Sequence, residues 1–197
     1  MTTAVTPVRP LRAGTVLADL LPVGRTRDIA LVVGGAALTG IAAQIAVPVP
    51  GSPVPVSGQT FAALLVGTAL GARRGCLSLA LYALAGMAGV PWFAQASSGW
   101  AMPSFGYILG MLLAGTVVGA LARRGADRSV LRTAGTMALG SLVIYAVGVP
   151  YLALATGMTL SQAIAAGLTP FLIGDALKAA LAMGLLPTAW KLVGRKG

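Results

Sequence analysis

Nearly all the charge in this chain sits in short intervals between long apolar runs, and that segregation decides what the chain can fold into. Six runs are readable, at about 29–47, 59–72, 75–90, 104–122, 130–153 and 169–192. A helix needs roughly 20 apolar residues to cross a bilayer, and fewer inside a bundle. The runs therefore predict an all-α integral membrane protein, a single bundle of six transmembrane helices. The bundle is expected over 27–197, behind a cytoplasmic N-terminal segment, 1–26, lying along the surface around Leu17, Leu20 and Leu21. Composition agrees: 57% of the residues are hydrophobic and 9% charged, whereas soluble domains carry roughly a quarter charged residues.

The intervals orient the bundle. Arg9, Arg12, Arg25 and Arg27 precede the first run, and Arg73 and Arg74 separate the second from the third. Arg123, Arg124, Arg128 and Arg132 separate the fourth from the fifth, and Lys191, Arg195 and Lys196 close the chain. The three alternate intervals, about 48–58, 91–103 and 154–168, carry no charge. Basic loops stay in the cytoplasm, so both termini are expected there. An even number of crossings requires the same.

Much chemistry is excluded. The chain has no histidine and no glutamate, and one cysteine, Cys76. Imidazole-based catalysis, an intrachain disulfide and a cysteine-rich metal site are all ruled out. The net charge of +10 sits in loop clusters rather than on one face, which argues against nucleic acid as a partner. The expectation is a lipid-embedded protein that is not an enzyme and holds no cofactor or metal.

Within the sixth run, "FLIGDALKAAL" (171–181) carries Asp175 and Lys178, one helical turn apart and on one face. Lys178 lies about nine residues from the outer end, roughly 13 Å deep. Intramembrane ionisable groups usually mark substrate or ion paths. Two readings stand: a self-neutralising ion pair, or a cation that receives an anionic group from outside with Asp175 beside it.

The uncharged loops add candidates. "VPVPGSPVPVSGQT" (47–60) is proline-rich and stiff, suited to covering a pocket or to plain spacing. "GVPWFAQASSGW" (89–100) combines Trp92, Phe93 and Trp100 with Gln95, Ser97 and Ser98, either pocket wall or interfacial aromatic belt. Gln59 and Tyr107 open the second and fourth runs at the same outer level. In the first run Ala36 and Gly40 have the small-xxx-small spacing of close helix packing, inside the bundle or against another membrane protein.

Taken together, "PVPVSGQTFAALLVGTALGARRG" (53–75), "LYALAGMAGVPWFA" (81–94), "FGYILGMLLAGTVVGALARR" (105–124) and "FLIGDALKAAL" resemble the BioY family, the biotin-binding S components of energy-coupling factor (ECF) transporters. The resemblance covers nearly everything from Arg27 onward. It departs at "AQASSGWAMPSFGY" (94–107), where the family is commonly richer in glycine. It implies that Lys178 pairs with the biotin carboxylate beside Asp175. It also implies that Trp92, Phe93 and Tyr107 pack on the bicyclic ring, and that Gln59 and the segment from Gln95 to Ser98 bond the ureido group. Biotin would be captured from outside, across the cytoplasmic membrane of a bacterial or archaeal cell. Energy would come from a transmembrane coupling protein (T component), docked at Ala36 and Gly40, and two ATPase subunits; the chain has no Walker A motif of its own. In such systems the whole bundle is thought to topple in the membrane.

Two other classes compete. A stand-alone secondary carrier for a small carboxylate could use Asp175 as its proton-coupling site, although no inverted repeat is visible. An intramembrane Ser–Lys enzyme would need a serine near Lys178, and none lies within helical reach.

Overall fold

The computed structural model describes residues 14–194. Arg9, Arg12, Arg195 and Lys196, and the first half of the expected 1–26 segment, lie outside the described residues. The remainder of that segment does not lie free along a surface. A 3-10 turn at Leu17–Leu20 tucks Val16 and Ala18 against Val66, Leu70 and Ala122. Asp19 then meets Arg74 at 2.9 Å and Arg123 at 3.5 Å. Burial pushes the Asp19 carboxyl up, but the Val16 N–H and the two guanidinium groups outweigh it and hold it below the usual range. Leu20 and Leu21 stay exposed.

Helix α1 (Arg25–Ala43) ends before the expected Val47. The prolines at 48, 50, 53 and 55 cannot continue a helix. Instead β1 (Ala46–Val47) pairs antiparallel with β2 (Val56–Ser57), in register Ala46 to Ser57 and Val47 to Val56. This two-stranded ribbon is the departure from an all-helical chain.

Helix α2 (Gln59–Met87) contains both the second and third expected spans. Its backbone leaves the helical region at Gly71, with φ 82° and ψ 169°. There the chain doubles back: a Cβ on Gly75 would stand 2.8 Å from the Gly67 Cα, whereas in a straight helix residues eight apart are about 12 Å apart. The reversal is tight because α3 (Phe105–Arg123) presses Gly119 onto it; a Cβ there would be 2.5 Å from the Ala72 nitrogen. We refer to the two halves as the first and second arms of α2.

Helix α4 (Val130–Thr156) starts at an N-cap, the Ser129 hydroxyl accepting from the Arg132 N–H. It ends on Gly157 in the left-handed region, φ 69°. The interval expected to be loop holds a further short helix, α5 (Leu160–Gly167), opened by a capping box between Thr159 and Gln162. A 3-10 turn at Thr169–Phe171 leads into α6 (Leu172–Gly194), three residues after the expected start because Pro170 occupies that turn.

Among the described residues, five helical stretches are long and apolar enough to cross a membrane: 25–43, 59–87, 105–123, 130–156 and 160–193. Helix α3 contributes Ile108, Met111, Ala114 and Val118 to the buried core. The outward faces are apolar too, with Ile29, Ile41, Leu84, Leu142, Ile173 and Leu181 exposed. In water such a surface would aggregate; in lipid it is the solvated side.

The end of the molecule bearing the arginines is closed by packing. Trp190 on α6 donates its indole N–H to the Asp127 Oδ2 at 2.6 Å, and the Arg128 guanidinium lies 4.6 Å from the Trp190 ring centroid. Arg128 also donates to the Thr15 carbonyl at 3.3 Å, tying the N-terminal segment to the loop between α3 and α4. Asp127 is fully buried, and its Oδ1 has no hydrogen-bond partner among the described residues. Burial pushes this carboxyl up, against the lowering pull of the Trp190 bond, its own backbone N–H and Arg128.

Candidate functional site

Asp175 and Lys178 project from α6 into the opposite end of the bundle. Lys178 Nζ donates to Asp175 Oδ1 at 3.1 Å and, across to the first turn of α2, to Thr60 Oγ1 at 2.8 Å. Asp175 Oδ2 accepts from the Tyr145 hydroxyl on α4. The ion pair is thus braced from two other helices, and its side chains are 16% and 18% exposed.

These groups line one narrow, partly enclosed cavity. Its walls come from every part of the chain that the helices gather at this end. Gln59 and Thr60 arrive on α2, Tyr107, Ile108 and Met111 on α3, and Ser141, Ile144 and Tyr145 on α4. The ribbon and the proline loop cover it with Val54, Pro55 and Ser57. Gly58 fixes this cover by donating its N–H to the Ile45 carbonyl at 2.9 Å.

Four aromatic rings, of Phe93, Tyr107, Tyr145 and Phe171, border the space. Tyr107 and Phe171 are stacked, with centroids 6.4 Å apart, and the Tyr107 hydroxyl is bound to the Gly167 carbonyl at 2.7 Å. Phe93 is held where no other side chain fits: a Cβ on Gly86 would come within 2.0 Å of its ring. Gln59 is 6% exposed, and its side-chain amide has no hydrogen-bond partner among the described residues.

The structure brings Lys178, Asp175, Gln59, Phe93 and Tyr107 to this cavity and places Trp92, Gln95 and Ser98 outside its lining. Gln95 and Ser98 are exposed, because Gln95 takes a left-handed conformation (φ 60°) that turns the loop outward. Trp92 faces the helices behind the cavity, its indole N–H bound to the Tyr82 carbonyl at 3.0 Å. That ring also lies over Gly40, and Ala36 is 1% exposed in the core. The small-residue face of α1 is therefore packed inside this chain, which corrects the expectation of a docking face at Ala36 and Gly40.

Sequence reasoning missed Thr60, Tyr145, Ser141 and Phe171. Thr60 and Phe171 stand beside residues that were singled out, and Tyr145 is the polar exception in the apolar stretch "SLVIYAVGV" (141–149). Gln44, also unflagged, organises the loop carrying Phe93. Its amide donates to the Trp92 carbonyl at 3.0 Å and its carbonyl accepts from the Ala96 N–H at 3.2 Å.

Comparison with known proteins gives a consistent result. The model of the BioY family matches residues 11–195. A probable biotin transporter BioY of Pyrococcus horikoshii is 36% identical over 162 residues, 81% of this chain and 93% of the relative. Biotin transporter BioY2 of Lactococcus lactis is 34% identical over 157 residues, covering 78% and 85%. Biotin transporter BioY of Thermotoga maritima is 34% identical over 149 residues, covering 74% and 85%. Among solved structures, the S-component for biotin from an ECF-type ABC transporter shares the fold, with TM-score 0.76 at 20% identity, over 85% of this chain and 92% of that one.

Proposed function

The chain belongs to the BioY family, and from that membership we propose that it captures biotin and serves its uptake as the S component of an ECF-type transporter. The observation that carries the reading is the cavity at Lys178: one cation braced by Asp175, aromatic walls, the Gln59 amide, and apolar side chains interspersed with the hydroxyls of Ser57, Thr60, Ser104 and Ser141. Biotin has matching parts, a carboxylate, an apolar thioether ring and a polar ureido ring.

Lys178 has three N–H donors and spends two on Thr60 and Asp175. The third receives the ligand carboxylate. Phe93 and Tyr107 pack on the bicyclic ring, and Gln59 bonds the ureido group. Trp92, Gln95 and Ser98 act behind this surface, in the loop that sets Phe93. Asp175, with both oxygens engaged by the protein, holds the lysine.

The membrane arrangement follows the charges. Counting the two arms of α2 separately, the bundle crosses six times, and the corner at Gly71 lies beside Arg73 and Arg74 on the cytoplasmic side with both termini. The cavity then opens toward the outside of a bacterial or archaeal cell membrane. A coupling protein and two ATPase subunits would supply the energy, and no cofactor is needed for capture.

The test is equilibrium binding of radiolabelled biotin to the purified protein in detergent, wild type beside Lys178→Ala. Nanomolar binding, about −12 kcal/mol, is expected for the wild type, weakened about a hundredfold or more in the variant. Undiminished binding to Lys178→Ala would return the lysine to a plain ion pair. No binding to the wild type would end the biotin reading. Biotin accumulation by the protein alone in vesicles, driven by a pH gradient, would instead show a secondary carrier with Asp175 as its proton site.

A further inference from the structure

We propose that the hydroxyls of Tyr145 and Thr60 are positioning residues that aim one N–H of Lys178 into the cavity, and that they thereby set the preference for a charged over a neutral ligand end. The proposal rests on the reading of Lys178 as the carboxylate site. A lysine ends in a rotatable ammonium group on a flexible four-carbon stem and does not choose a direction by itself. Here the direction is imposed from three helices. Thr60 on α2 takes one donor at 2.8 Å and Asp175 on α6 takes another at 3.1 Å.

Asp175 in turn is held by Tyr145 on α4 through its second oxygen. Without that bond the carboxylate would be free to rotate and the lysine would lose its fixed anchor. Tyr145 is itself kept in place by burial (9% exposed) and by an edge contact with Tyr107, centroids 6.4 Å apart at 87°. Among the described residues, Asp175 and Lys178 are the only charged side chains lining the cavity, so the pair adds no net charge. Attraction for an anion therefore depends on geometry: the ammonium must face the ligand and the carboxylate must face away. Tyr145 and Thr60 fix that dipole's orientation. A group that serves only packing would affect every ligand alike, whereas orienting the dipole acts on the ligand's charge.

The experiment compares biotin with biotin carboxamide, which keeps the rings and replaces the carboxylate by a neutral amide. Both are measured by competition with radiolabelled biotin on wild type, Tyr145→Phe, Thr60→Val and Thr60→Ser. Biotin affinity is expected to fall about tenfold in Tyr145→Phe and in Thr60→Val. Carboxamide affinity should stay within about twofold, and Thr60→Ser, which restores the hydroxyl, should recover the acid preference. Equal losses for the two ligands, or no loss for either, would overturn the proposal while leaving biotin capture intact. A wild type that does not prefer the acid would overturn the carboxylate reading and this proposal with it. Should Tyr145→Phe fail to fold, the Thr60 pair decides on the same terms.

Discussion

The two ends of α6 each hold an aspartate within reach of a cation and an aromatic donor, yet they are opposite kinds of structure. At Asp175 both carboxylate oxygens are bonded, the lysine beside it has a donor to spare, and the group faces open space. At Asp127 the carboxylate is fully buried, one oxygen is unpartnered, and a tryptophan and an arginine close the site by stacking. The first has polar capacity turned toward a cavity. The second joins α6 to the loop between α3 and α4, and the polar atoms it leaves unpartnered among the described residues, Asp127 Oδ1 and Arg128 Nε, are sealed in packing rather than turned to a cavity. Charged residues in a bundle thus divide into those that receive and those that fasten, and the direction of the unused hydrogen bond tells them apart.

That division can be broken by substitution. The largest effect is expected at the fastening end. Trp190→Ala removes a 6%-exposed side chain and should cost about 3 kcal/mol of stability. Biotin affinity of the folded fraction should be unchanged, which a melting curve and a binding isotherm on the same sample would check. At the receiving end Gln59→Leu should do the reverse, weakening biotin about tenfold, or about 1.4 kcal/mol, with melting unaltered or raised because an unpartnered amide is gone. An equal loss of stability there would mean that Gln59 supports the fold.

The smallest effect concerns pH. Burial holds the Asp127 carboxyl above its ordinary value, so the unfolded chain gives up this proton first as pH rises. Between the ordinary value and the folded one the native state binds the extra proton, and stability falls with rising pH. Asp127→Asn keeps an acceptor for Trp190 and removes the charge. It should melt above the wild type near neutral pH, by about 1 kcal/mol, and converge with it below about pH 4. Asp19 runs the other way: its lowered carboxyl stabilises above the ordinary aspartate value and is lost as pH falls through the folded one.

How much of this was legible in the sequence depends on the physics that fixed each part. The long runs and their basic intervals were readable because lipid imposes length and side, both one-dimensional properties. The pair at Asp175 and Lys178 was readable because charge in an apolar run is conspicuous. Helix α5 was hidden because Thr159 and Gln162 cap a turn among small residues, where hydropathy resembles that of a loop. Thr60 and Tyr145 were hidden because a hydroxyl in a membrane helix commonly bonds its own backbone, as Thr39, Thr68 and Thr116 do here. Only the third dimension distinguishes a hydroxyl that reaches another helix. Trp92 and Gln95 show the converse, because a loop rich in the right residue types can turn most of them away from the site.

The corner at Gly71 has a consequence for the parity of the chain. Any side chain there would need the same positive φ, with the Arg123 guanidinium 3.2 Å away. Were residue 71 to adopt helical angles, the 29 residues of α2 would form one rod of about 43 Å, longer than a hydrocarbon core of about 30 Å. On the six-crossing arrangement proposed above, the chain would then cross once where it crosses twice, an even count would become odd, and everything after α2 would be inverted. Lys178 would then face the compartment opposite the one it is built to face. On that arrangement, a single missing β-carbon decides which side of the membrane the Lys178 cavity faces.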